Sequence, residues 1–163
     1  MGDYSLLIIK PEILSTKKEV IASLARRGYS VLFEQEFDNW REFAHDYLPK
    51  NKPTKYTKDE IDVFLEEYIK NQWGNKYAAL IVQHKDGNTL NRLREEKGHF
   101  GNYQTKKEDT LRGEFGLGPE TNVNFKNAHC VYNGIHTVDD EQALKEHLAF
   151  LNIALSYFMP ANK

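Results

Sequence analysis

Tyr4-Ser5-Leu6-Leu7-Ile8-Ile9-Lys10-Pro11 is the stretch from which the fold can be read. Tyr4 to Ile9 is a short apolar run closed by a proline that cannot extend a hydrogen-bonded ladder, so it predicts a buried strand. Working outward, Thr16 with Glu19 three residues on reads as a capping box, opening a helix with Val20, Ile21 and Leu24 on one face and Gly28 as its stop. Tyr29, Val31 and Phe33 alternate as a half-buried strand does. Trp40 to Leu48 reads as helical, followed by a basic, proline-containing loop over 50–55. Thr57 with Glu60 is a second capping box, ahead of a stripe of Ile61, Phe64, Leu65, Tyr68 and Ile69. Tyr77 to Val82 is a further apolar strand, Leu90 and Leu93 mark a short helix ended by Gly98, and 98–127 is loop-rich. Asp139 with Gln142 predicts the cap of a last helix carrying Leu144, Leu148 and Leu151. Two βαβ-type halves in this order suggest an α/β sandwich of the ferredoxin-like kind, with a doubly wound parallel sheet as the competitor.

Composition bounds the function. A chain of 163 residues is expected to be one domain, 1–163. With 40% hydrophobic and 28% charged residues it has the profile of a soluble globular protein. The net charge of −2, without an aromatic-basic stripe, argues against a nucleic-acid surface. Cys130 is the single cysteine, which excludes an internal disulfide and a multi-cysteine metal site. No stretch reads as a signal peptide or membrane span, so a cytoplasmic location is expected. There is no Walker-type phosphate loop, no HExxH pair and no Gly-x-Ser-x-Gly elbow.

Lys10 ends the first strand, where an ammonium group could meet a phosphate, although a lysine there often only marks a strand end. Arg94 lies on a helix four residues before Gly98. Arg112 lies in Thr110-Leu111-Arg112-Gly113-Glu114-Phe115, and a guanidinium held in a loop suits bidentate phosphate binding. Of six histidines, His136 has the most informative setting, after Asn133-Gly134-Ile135 and just before a capped helix. Asn133-Gly134 is equally a hairpin-turn signal, in which His136 would be an ordinary strand residue.

Taken in order, these pieces resemble the nucleoside diphosphate kinase family. Ile8-Ile9-Lys10-Pro11-Glu12 is similar to its opening Ile-Lys-Pro-Asp. His45-Asp46-Tyr47 resembles its His-Tyr, Arg94 with Gly98 its Arg-x-x-x-Gly, and Thr110 to Phe115 its Thr-Ile-Arg-Gly-Asp-Phe. Asn133-Gly134-Ile135-His136-Thr137-Val138-Asp139-Asp140 resembles the active-site block, and Ala143 and Glu146 its Ala-x-x-Glu. The resemblance implies an α/β (α+β) sandwich with a ferredoxin-like four-stranded antiparallel sheet covered by helices. It implies that Lys10, Tyr47, Arg94, Arg112 and Asn133 bind nucleotide, that His136 is the phosphorylated nucleophile, and that Glu146 orients its ring. Nucleotide-bound Mg2+ and a homo-oligomer, hexamer or tetramer, come with it. The chain departs from the family at Phe100, where a threonine is usual, and at Thr137 and Val138, where glycine and serine are. The base-stacking phenylalanine is not recognisable; Tyr56 and Phe64 are the candidates. An insertion lies between Phe115 and Asn133, so that Lys126-Asn127-Ala128-His129 offers a second register. Only His136 keeps Asp139, Ala143 and Glu146 near their offsets. The rival function is a weak or inactive relative that binds nucleotides or proteins on the same fold.

Overall fold

A computed structural model describes residues 2–51, 56–98 and 110–158. Strand β1 (Ser5–Ile9) is followed by a 3-10 turn (Pro11–Thr16), helix α1 (Lys17–Arg26) and strand β2 (Tyr29–Phe37). A π-helical turn (Glu42–Tyr47) runs into α2 (Leu48–Asn51), then α3 (Lys58–Lys70) and β3 (Tyr77–His84) follow. Next come α4 (Thr89–Lys97), α5 (Leu111–Phe115), β4 (Val123–Phe125), β5 (Ala128–Cys130), β6 (Ile135–Thr137) and α6 (Glu141–Phe150). The main sheet has four strands in the order β2-β3-β1-β6, and every neighbouring pair is antiparallel. This is the expected ferredoxin-like arrangement, and it excludes the parallel competitor.

The two central strands explain why β1 is apolar throughout. Side chains alternate across a strand, and β1 is buried on both faces. Leu6 and Ile8, with Ala79 and Ile81 of β3, enter a core with Trp40, Phe43, Tyr77 and Leu144. Leu7 and Ile9, with Leu80 and Val82, enter a second core with Val20 and Leu24 of α1 and Leu93 of α4. His136 pairs with Ile8 across the β1–β6 ladder and therefore shares the first face.

Several local expectations change. The Thr57–Glu60 capping box forms in full, but the Thr16–Glu19 one does not. Thr16 closes the 3-10 turn instead, its hydroxyl donating to the Ile13 carbonyl at 2.7 Å. The cap of α6 is Asp140, one residue later than Asp139, and accepts from the Ala143 N–H at 2.7 Å. Ile69, counted into the stripe of α3, is 75% exposed. Asn133-Gly134 does not make a hairpin: β5 pairs with β4 and β6 with β1. The inserted segment forms the β4–β5 hairpin, turning at Lys126 with φ of 51°. It is tied down where Leu117 N–H donates to Tyr132 O at 2.9 Å. Tyr132 stacks on Phe64 at 5.0 Å between ring centroids. Phe100 lies outside the described residues.

Candidate active site

The end of β1 and the start of β6 are locked together. Lys10 N–H donates to Gly134 O at 2.9 Å, and Gly134 N–H donates to the buried Glu12 carboxylate at 3.1 Å. The Lys10 ammonium donates to Asn133 Oδ1 at 2.8 Å. Burial, together with the charges of Arg112 and Lys97, lowers the Lys10 pKa to about 8 against the opposing pull of Glu12.

Arg112 is held on α5 by the Thr110 cap, which accepts from Gly113 N–H at 3.0 Å. Its Nε donates to Ile135 O at 2.9 Å. Burial brings its pKa down to about 10, with Asp139 and Glu12 opposing, so it stays charged at neutral pH. Arg94 on α4 is exposed and donates to Asp139 O at 3.1 Å. Lys97, one turn further along the same helix, lies 3.9 Å from the Asp139 carboxylate.

His136 is half-buried on β6. Its Nε2 lies 3.0 Å from Nε2 of His147, and the edge of Phe43 packs against both rings. His147 Nδ1 lies 2.8 Å from Ala143 O and 3.0 Å from the Tyr47 hydroxyl. Burial first, then the repulsion that a proton on His147 would exert, and then the charges of Lys10, Lys97 and Arg112 hold the His136 pKa well below the usual imidazole value. The ring is therefore neutral at pH 7.

A cavity of about 860 Å³ is lined by Lys10, Arg94, Lys97, Arg112 and His136. Trp40, Tyr56, Ile61 and Phe64 line the same cavity, as do Ala128, His129 and Cys130 of the inserted hairpin. The structure thus brings Lys10, Arg94, Arg112 and His136 to one space, together with both candidates for base stacking, Tyr56 and Phe64. Asn133 is buried beside it, holding Lys10. Tyr47 is placed differently from the expectation: it lies buried behind His147, stacked on Phe150 at 4.3 Å. Glu146 also departs from the expectation, because it accepts from Gln142 at 2.9 Å while His147 takes the contact with His136. The reason is helical geometry. Leu144, His147 and Leu148 form the inward face of α6 at spacings of three and four, and residue 146 lies off that face.

Sequence reasoning missed two residues. His147 carried a signal, being a polar residue on the apolar face of the last helix. Lys97 carried one as well, three residues after Arg94 and so on the same side of α4. Val138 is packed in the core at 1% exposure.

The donor set indicates what the cavity can hold. Among the described residues no group of three or more His, Cys, Asp or Glu is arranged to bind a metal. Lysine and arginine donors suit phosphate oxygens. A divalent cation would enter this cavity chelated by those phosphates, as part of a substrate. No helix among the described residues is long and apolar enough to cross a membrane.

No family model and no curated protein matches the chain. Solved structures do. A nucleoside diphosphate kinase from Aquifex aeolicus superposes with a TM-score of 0.66 at 14% identity, over 96% of this chain and 99% of that one. An NDP kinase from Pyrobaculum aerophilum gives 0.62 at 14% identity, over 96% and 98% of the two chains. A nucleoside diphosphate kinase from Encephalitozoon cuniculi gives 0.62 at 17%, over 99% and 95%. The chain has the fold of these enzymes along nearly its whole length.

Proposed function

We propose that this chain, built on the fold of nucleoside diphosphate kinases, transfers the γ-phosphate of a nucleoside triphosphate to a nucleoside diphosphate through phospho-His136. The observation that carries the proposal is the meeting of Lys10, Arg94 and Arg112 with a neutral, half-buried histidine at one cavity. In the first half-reaction the His136 lone pair forms an N–P bond, the bond from the γ-phosphorus to its bridging oxygen breaks, and the diphosphate leaves with that electron pair. A second diphosphate then takes the phosphoryl group by the reverse step. Such a transfer needs in-line placement and charge neutralisation more than covalent assistance. Lys10, Arg94 and Arg112, with magnesium on the phosphates, supply that charge. Asn133 keeps Lys10 in place.

The reading extends, through the family resemblance, to a cytoplasmic homo-oligomer, hexamer or tetramer. A second reading, a weak or inactive relative that binds nucleotides or proteins, is favoured by one observation: Val138 gives the site no hydroxyl.

The test is labelling by ATP carrying a radioactive γ-phosphate, with no acceptor present. The protein is expected to take up a phosphate that is lost in acid, survives base and is discharged by a nucleoside diphosphate. His136→Ala should abolish the label and His129→Ala should retain it. Binding of ATP without labelling would establish the inactive relative.

A further inference from the structure

We propose that His147 is the positioning residue that sets the tautomer of His136 and leaves the Nδ1 lone pair of that ring for the incoming phosphoryl group. The second half of this inference rests on the reading of His136 as the carrier; the first half does not.

One chain of contacts fixes the protons on both rings. A carbonyl oxygen can only accept, so at 2.8 Å from Ala143 O the His147 Nδ1 must carry a proton. Two lone pairs would repel at that distance. The Tyr47 oxygen, 3.0 Å from the same nitrogen, is a second acceptor for that proton. His147 is buried, at 6% exposure, which disfavours a charge on its ring; neutral and protonated at Nδ1, it has its lone pair at Nε2. The His136 Nε2, 3.0 Å away, must then be the donor. With its proton on Nε2, neutral His136 has its lone pair on Nδ1, the ring nitrogen away from the contact with His147, on a residue that lines the cavity. One backbone carbonyl on α6 thereby fixes two rings in series.

Charge agrees with this assignment. Lys10, Lys97 and Arg112 oppose any further positive charge on His136, so the neutral form dominates. As Nδ1 bonds to phosphorus the ring gains positive character, and the Nε2–H bond to the His147 lone pair strengthens. An imidazole acceptor does this without a fixed negative charge beside the incoming phosphates.

Long-range proton–nitrogen correlation spectra of nitrogen-15-labelled protein, recorded without nucleotide, read the tautomer directly. Wild type is expected to show His136 protonated at Nε2. His147→Leu removes the acceptor and should shift His136 toward the Nδ1–H form, slowing labelling by ATP about ten- to a hundredfold. His147→Glu, whose carboxylate can only accept, should restore the Nε2–H form. An Nδ1–H wild type overturns the inference, and it does so even if the leucine variant fails to fold. So does a folded leucine variant with an unchanged tautomer. A wild type with the expected tautomer but no label separates the two proposals: His136 is then not the carrier, while its positioning by His147 stands.

Discussion

At the scale of single residues, Lys10 is held between two demands. Burial works against its charge, and phosphate binding requires it. Its pKa of about 8 lies below the 10.5 of an exposed lysine. The sign of the pH dependence follows. Affinity of the free protein for a triphosphate should fall as pH rises through about 8, where Lys10 loses its proton. Stability should move the other way: between about 8 and 10.5 the unfolded chain holds more protons at this site than the folded one, so this residue's contribution rises with pH. Binding isotherms and urea melts of wild type against Lys10→Met, from pH 7 to 10, check both. The variant should bind more weakly and show neither step.

At the scale of elements, the turn into β6 decides whether the site is assembled. Gly134 has φ of 76°, and a Cβ there would lie 2.6 Å from Ile13 Cδ1. Its two backbone groups also hold Lys10 and Glu12. Gly134→Ala should therefore destabilise the protein by more than about 1 kcal/mol in urea denaturation. Gly74 supplies the control, having φ of 79° and nothing within 4 Å of the added carbon. Its alanine variant carries the backbone strain without the clash and should cost less. Elements of this kind were legible in the sequence to different depths. The apolar runs of β1 and β3 are read directly, because burial on both faces demands them. The cap at Thr57 is read as well, since its motif has no competitor. Thr16 has the same motif, but the preceding 3-10 turn claims its hydroxyl through the Ile13 carbonyl three residues back, a local competitor that the motif itself does not show. For α6, a motif offset points to Glu146, whereas the Leu144–Leu148 periodicity puts residue 147 on the inward face.

At the scale of the whole molecule, the inserted hairpin turns a loop region into a wall. Ala128, His129 and Cys130 line the cavity, and the Tyr132 hydroxyl donates to Phe64 O at 3.0 Å. The apolar residues Val123, Phe125 and Val131 indicate that the insertion packs against something, but no local signal says which cavity a hairpin closes. Replacing residues 119–131 by a short turn should leave the far-ultraviolet circular dichroism of the main sheet intact. Affinity for a fluorescent nucleotide should fall about tenfold, equivalent to ~1.4 kcal/mol of lost contact. An unchanged titration would assign the hairpin to another task.

The lock between Lys10 and Asn133 joins positions 123 residues apart. A chain emerging from a ribosome therefore makes β1 long before it makes the strand that covers it. Until β6 arrives, Leu7, Ile8 and Ile9 lack the ladder partners they have in the finished sheet. An uncovered apolar edge of this kind is prone to pair with other chains. Closing it across so many residues is also slow, because the loop entropy must be met before the contact forms. The period of greatest aggregation risk thus falls late in synthesis, and truncations that end before Ile135 should prolong it indefinitely.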